Sequence, residues 1–185
     1  GVRIRTFLSN DMPFARRVTL IHDIYGPAGQ KVACVSQKVK LPADVENHCV
    51  EMKASVKDRL LWDIDSPNLY RVETRLEGDG LSDMVSNTFG FRYFRFDPDK
   101  GFFLNGKNVK MKGVSRHQDW AEKGNALSIE EHKKDIELIK EVGANSIRLA
   151  HYQHDQYFYD LCDEYGLVIW AEIPYISRHM PGGRE

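Results

Sequence analysis

Over the first half of the chain, hydrophobic and polar positions alternate in twos. In Leu69–Leu76, Tyr70, Val72 and Thr74 fall on one side of a pleat and Arg71, Glu73 and Arg75 on the other, the period of a strand with one wet face. Cys49–Ala54 repeats the pattern. Val18–Tyr25 and Gln30–Val39 are β-branched stretches, ended by Gly26-Pro27-Ala28-Gly29 and by Leu41-Pro42-Ala43-Asp44, both of them turn-forming. Gly78-Asp79-Gly80 turns the chain again, and Val85–Arg92 starts another strand. About seven short strands with no helical stripe among them predict an all-β, immunoglobulin-like sandwich over residues 1–97.

From residue 98 the period changes. Asn105-Gly106 sits between apolar runs, and both residues tolerate positive φ, so a hairpin is predicted there. Val109–Val114 reads as a strand leading to Ser115-Arg116-His117-Gln118-Asp119. Ser128 with Glu131 three residues on is a capping box. Ile136, Ile139 and Val142 follow at helical spacing, and Gly143 can end that helix. Asn145–Ala150 is a short buried strand. His154–Tyr165 is a second helix with Phe158, Leu161, Cys162 and Tyr165 on one face and Gly166 as its stop, and Leu167–Glu172 is a third strand. Such β, α, β, α, β alternation predicts a parallel sheet. A closed α/β barrel needs eight strands and about 250 residues. Residues 98–185 are therefore expected to be the truncated start of an α/β (TIM) barrel, ending in a loop-like tract from Tyr175 to Glu185. An open three-stranded piece exposes strand edges and apolar helix faces, so self-association, disorder near Tyr175–Glu185, or both are expected.

Composition narrows the function classes only a little. The net charge is −1 over 185 residues, which gives no basis for a nucleic-acid or anionic-membrane partner. No apolar run approaches the roughly 20 residues that span a bilayer. Cys34, Cys49 and Cys162 lack metal-ligand spacing, and each is expected to be a small buried hydrophobe. The compartment stays open.

In a parallel α/β sheet, functional groups gather where the strands end. The first end carries Arg116, His117, Gln118, Asp119 and Trp120, the second Arg148, His151 and Tyr152, and the third Glu172 and Tyr175. Arginine, histidine, carboxylate and aromatic groups at one rim suit a sugar, whose hydroxyls need fixed donors and acceptors and whose C–H face favours an aromatic wall. Against this, each histidine can be read as a structural group bonded to a loop carbonyl, and Arg148 as a plain ion-pair partner.

At these residues the chain resembles a known family. Lys112-Gly113-Val114-Ser115-Arg116-His117, Asn145-Ser146-Ile147-Arg148-Leu149-Ala150-His151-Tyr152 and Leu161-Cys162-Asp163-Glu164-Tyr165-Gly166-Leu167-Val168 look like the early barrel of glycoside hydrolase family 2. Phe89-Gly90-Phe91-Arg92, with Phe102-Phe103-Leu104-Asn105-Gly106, resembles its junction between sandwich and barrel, and Trp170-Ala171-Glu172-Ile173-Pro174 resembles the β-galactosidase branch. The resemblance implies a retaining exo-β-glycosidase acting on terminal β-linked sugars, β-galactosides first. β-Glucuronidase or β-mannosidase specificity, or a non-catalytic carbohydrate-binding scaffold, are the alternatives. It implies substrate contacts from Arg148, His151 and His117, with Glu172, Arg116 and Tyr152 supporting them. It places the acid/base and nucleophilic glutamates beyond Glu185, so that no catalytic residue is assigned here and the 185-residue chain alone is expected to be inactive.

Two departures matter. Gln153 stands where many members have proline, which alters a turn rather than the chemistry. Ile176 and Arg178 occupy the positions at which magnesium-dependent members carry ligands; neither suits the ion, so no metal and no cofactor is expected. The His151–His154 spacing fits one helical face but is weak support for zinc. Trp120 and Trp170 are expected to pack within the barrel. His22, His48 and His132 read as surface or structural, and Lys133-Lys134-Asp135 as a solvated helix face.

Overall fold

The computed structural model describes residues 1–78 and 80–174. Six strands come first: β1 (Val2–Asn10), β2 (Arg16–Tyr25), β3 (Lys31–Leu41), β4 (Val45–Ala54), β5 (Tyr70–Gly78) and β6 (Leu81–Phe89). They form two antiparallel sheets, one of β1 and β4 and one in the order β3-β2-β5-β6. Inward residues of both sheets make the core, with Leu8, Val50 and Met52 meeting Val18, Leu20, Val39 and Leu41. The period of two decides this, since successive residues of a strand point to opposite faces. On β5, Tyr70 and Val72 are buried while Arg71 is not. On β2, His22 is fully buried, with its ring between the hydroxyls of Thr74 (2.9 Å) and Thr6 (3.4 Å).

Two cysteines depart from expectation. Cys34 and Cys49 are exposed, and only Cys162 is buried. Cys49 lies opposite the exposed Phe7 in the β1–β4 ladder, on the face that the alternation turns to solvent. Apolar burial around Cys162 pushes its thiol up to about 12, which makes it inert.

The remaining strands are β7 (Phe94–Asp97), β8 (Gly101–Leu104), β9 (Lys107–Asn108), β10 (Gly113–Arg116), β11 (Ser146–Leu149) and β12 (Val168–Ala171), with helices α1 (Ile129–Glu141) and α2 (Gln156–Tyr165) between the last three strands. β7, β8 and β9 form a small antiparallel sheet; β10, β11 and β12 form a parallel one in that order. The predicted hairpin is present, with φ of 51° at Asn105 and 83° at Gly106. Among the described residues three parallel strands are present and no barrel closes. The chain divides into two compact units, Gly1–Leu60 with Leu69–Phe91, and Leu61–Asn68 with Arg92 onward. The division falls after Phe91, earlier than the boundary expected after residue 97, because β7 pairs with β8.

Two boundaries in the second unit also move. The first parallel strand begins at Gly113 rather than Val109, because the Asn145 side chain takes up the preceding backbone: it accepts from the Lys112 N–H (2.7 Å) and donates to the Lys110 carbonyl (2.9 Å). The second helix begins at Gln156 rather than His154. Asp155 is its N-cap and accepts from the Tyr157 N–H at 2.8 Å. The capping box of α1 forms as predicted, with Glu131 accepting from the Ser128 N–H at 2.7 Å.

The core of this unit is Ile136 from α1, Ile147 and Leu149 from β11, Phe158, Leu161 and Cys162 from α2, and Leu167. In register, Ser115, Arg148 and Trp170 share one row. They point away from the helices, while Ile147, Leu149 and Ile169 face them. The segment 61–68 is tied into this unit by Trp62, which is 1% exposed and donates its indole N–H to the Asp163 carbonyl (2.7 Å). Tyr175, Ile176, Arg178, His179 and the loop-like tract to Glu185 lie outside the described residues.

Candidate functional site

The strand ends of β11 and β12 place Arg148 and Glu172 side by side. The Arg148 Nε donates to Glu172 Oε1 at 2.6 Å and its Nη2 to Oε2 at 3.2 Å, the fork geometry that only arginine supplies. The same carboxylate accepts the backbone N–H of His151 at 2.7 Å and lies 3.4 Å from its Nδ1. His151 adopts φ of 71°, an uncommon conformation for a residue with a Cβ. Its backbone N–H reaches Glu172 from that turned-back position. Arg148 first, and then the His151 N–H, hold the Glu172 carboxyl below its ordinary value, so the group is an anion over the whole neutral range.

His117, just past β10, faces this pair. Its ring lies 5.3 Å from that of His151 and 6.1 Å from that of Tyr152. The Tyr152 hydroxyl accepts the Gln118 N–H at 3.0 Å, and the Gln118 Oε1 accepts the Asp155 N–H at 2.6 Å. The loops after β10 and β11 are thereby stitched together. The structure brings together Arg148, His151, His117, Glu172 and Tyr152. Arg148 and His151 stay half-exposed and keep donors and acceptors for a polar ligand.

Arg116 lies elsewhere. Alternation along β10 turns it toward the helices, where it is buried (6% exposed). Its guanidinium binds Asp135 Oδ2 through Nε (2.8 Å) and Nη2 (2.7 Å), His154 Nδ1 (3.0 Å) and His132 Nδ1 (3.1 Å), and covers the Phe158 ring at 3.8 Å. Arginine has only donors, so both Nδ1 atoms accept and both rings carry their proton on Nε2; that of His154 is directed at the Ala150 carbonyl, 3.4 Å away. Burial first, and then the Arg116 charge, lower the basicity of His132. Burial likewise leads for His154, where the Ala150 bond opposes it and Arg116 adds to it.

Sequence reasoning missed this cluster. Lys133 and Lys134 are exposed, but Asp135 is an ion-pair partner rather than part of a solvated face. The available signal was the stripe His132, Asp135, Ile136 and Ile139, which places polar groups on the same side of α1 as its apolar ones. The helical premise for a His151–His154 zinc site also fails. Both residues precede α2; His151 is turned to Glu172 and His154 to Arg116. Among the described residues, no group of three or more His, Cys, Asp or Glu is placed to hold a metal ion.

The two tryptophans do not pack as expected. Trp120 is 37% exposed and donates to Asp135 Oδ1 at 3.0 Å. Trp170 is 70% exposed, because no described strand covers the face it shares with Arg148. It lines an apolar cavity of about 570 Å³ with Phe96, Phe102 and Met111, which Arg148 and Glu172 also border but His117 and His151 do not.

Comparison with known proteins shows the family. A domain model described as glycosyl hydrolases family 2 matches residues 1–92, and one described as glycosyl hydrolases family 2, TIM barrel domain, matches residues 98–183. A Bacteroides fragilis protein named beta-glucuronidase is 44% identical over 160 residues, 84% of this chain and 22% of the relative. A Thermoanaerobacterium thermosulfurigenes protein named beta-galactosidase is 41% identical over 121 residues, 65% of this chain and 17% of the relative. The crystal structure of a Bacteroides uniformis beta-glucuronidase superposes with a TM-score of 0.91 at 40% identity, over 97% of this chain and 22% of that one. The chain thus spans about a fifth of the length of the relatives it matches.

Proposed function

Because the chain belongs to glycosyl hydrolase family 2, we propose that the protein containing it is a retaining exo-β-glycosidase that hydrolyses terminal β-linked sugars, with β-galactosides as the first candidates. The observation that carries this reading is the Arg148–Glu172–His151 cluster facing His117 at the strand ends. Arg148 and the two imidazoles hydrogen-bond the hydroxyls of a non-reducing-end sugar; Glu172 holds two of them in place. Retention requires two further carboxyl groups about 5–5.5 Å apart, one attacking the anomeric carbon and one shuttling the proton. Those groups are assigned to residues outside this chain, and the 185-residue chain alone does not turn over substrate.

A second specificity has specific support. The 44%-identical relative and the superposed structure above are both named as β-glucuronidases, so β-glucuronides stand beside β-galactosides. The test is nitrophenol release by the whole protein from the β-galactoside, β-glucuronide and β-mannoside. Turnover of the first is the expected result. Turnover of the glucuronide alone reassigns the sugar, and no turnover of any of the three refutes the reading.

A further inference from the structure

We propose that Arg116 is a positioning residue of the sugar-binding rim, acting from behind the sheet on His117 and on the loop that carries His151. This rests on the glycosidase reading above. Arg116 cannot touch a ligand at the rim, since it is buried on the helix side of β10. It is nevertheless the point at which three parts of the unit meet. It is the last residue of its own strand, and His117 follows it directly. Its guanidinium grips α1 through Asp135 and His132, and reaches the loop after β11 through His154. Its carbonyl accepts the Ala150 N–H at 3.1 Å.

Ala150 and His154 bracket His151 and Tyr152. Arg116 therefore holds both ends of the segment whose middle presents the His151 ring to the site. The bond from Arg116 to His154 and that from His154 toward Ala150 run in series, so the loop cannot shift without breaking one of them. Tyr152 stacks on His154 at 5.1 Å, which passes the same constraint to the residue that receives the Gln118 N–H. Two loops of a binding rim have many conformations of similar energy when free. A buried planar donor with three fixed acceptors selects one of them before the ligand arrives, which is the general function of outer-layer support around a site.

The chemistry of the support is specific to arginine. Three acceptors in different directions, each met by a different N–H of one group, suit a guanidinium. An ammonium at the end of a lysine can satisfy Asp135 and no more than one ring nitrogen at good geometry. The loss should fall on binding: the rim contacts persist from ground state to transition state, so weakening them raises KM and leaves kcat nearly unchanged.

The experiment is steady-state kinetics of the whole protein, wild type against Arg116→Lys, Arg116→Met and Asp135→Asn, on whichever nitrophenyl β-glycoside the wild type hydrolyses, with thermal melts of each. The expected result is KM raised about tenfold by Arg116→Lys and further by Arg116→Met, with kcat within about twofold. Asp135→Asn keeps an acceptor and removes the orienting charge. It should raise KM by a smaller factor, and it decides the question if the Arg116 variants do not fold. A lowered melting temperature with KM unchanged in the folded variants overturns the proposal and leaves Arg116 a purely structural residue. A wild type that hydrolyses none of the glycosides overturns the functional reading itself, and with it this role.

Discussion

At the residue scale the centre of the site is Glu172. Its two oxygens collect the Arg148 fork, the His151 N–H and the edge of the His151 ring. Replacing it with glutamine keeps an acceptor for the His151 N–H and removes the charge that aligns Arg148. In the whole protein Glu172→Gln should lower kcat/KM by about 10- to 100-fold, read on an aryl glycoside, with the melting temperature changed little; an unchanged kcat/KM would remove Glu172 from the site. The pH dependence has a definite sign. The folded carboxyl sits below its ordinary value of 4.5, so its contribution is fully present above that pH and is lost only as pH falls through the lower, folded value. Arg148, His151 and Glu172 were legible as candidates because each lies near the end of a short apolar strand or just past it. Their mutual bonding was not, because Glu172 lies 21 residues from His151 and 24 from Arg148 and no local pattern relates them.

At the element scale the ends of the helices matter most. α1 starts at a capping box that the spacing of Ser128 and Glu131 announces, and Lys123 and Ser128 together hold the Glu131 carboxyl down at about 2. α2 ends at Gly166, which has φ of 69°. A Cβ there would stand 2.2 Å from the Ile64 carbonyl oxygen, so the position rejects a side chain on two grounds, backbone handedness and lack of space. Gly166→Ala should destabilise the unit by about 2 kcal/mol or more, measured by urea unfolding; a change under about 0.5 kcal/mol would show that the 61–68 segment yields without cost. The helix stop was readable in the sequence, since glycine after an apolar stripe is a common terminator. The carbonyl pressed against it was not, because Ile64 is remote in sequence. The two shifted boundaries have the same origin: the side chains of Asn145 and Asp155 hydrogen-bond nearby backbone and displace regular structure by a few residues.

At the scale of the whole molecule, each unit has its own core. Among the described residues nothing packs one face of the second unit's parallel sheet: Trp170 is 70% exposed and Phe96 74%, around an apolar cavity of about 570 Å³. Exposed apolar surface of this kind is buried by association when no other segment covers it. We propose that the 185-residue chain, prepared alone, self-associates through this face. Light scattering should give a mass above the monomer that falls with Trp170→Lys. A monomer at all concentrations would contradict the proposal. The sandwich was legible as a class from its alternation, and the start of the barrel from its β, α, β order. The unpacked face was not legible, because the sequence alone places Trp170 within a packed barrel, whereas its side chain is exposed on a sheet of three strands where eight close a barrel.

The amino-acid sequence by itself determined the order and kind of the elements, the hairpin at Asn105-Gly106, the cap at Ser128, the stop at Gly166 and the family. Each of these rests on interactions between residues a few positions apart, or on a periodicity repeated along one element. Only the tertiary structure decided that Glu172 joins Arg148 to His151, that Arg116 turns its back on the site, and that His132, Asp135 and His154 gather around it. Those contacts join residues 16 to 38 positions apart. They exist because the parallel register sets Arg116 beside Leu149 and Arg148 beside Trp170, and because each α/β turn returns the chain to the same edge of the sheet. Periodicity assigns a side chain to a face of its own element, whereas its partners are chosen by how separate elements pack.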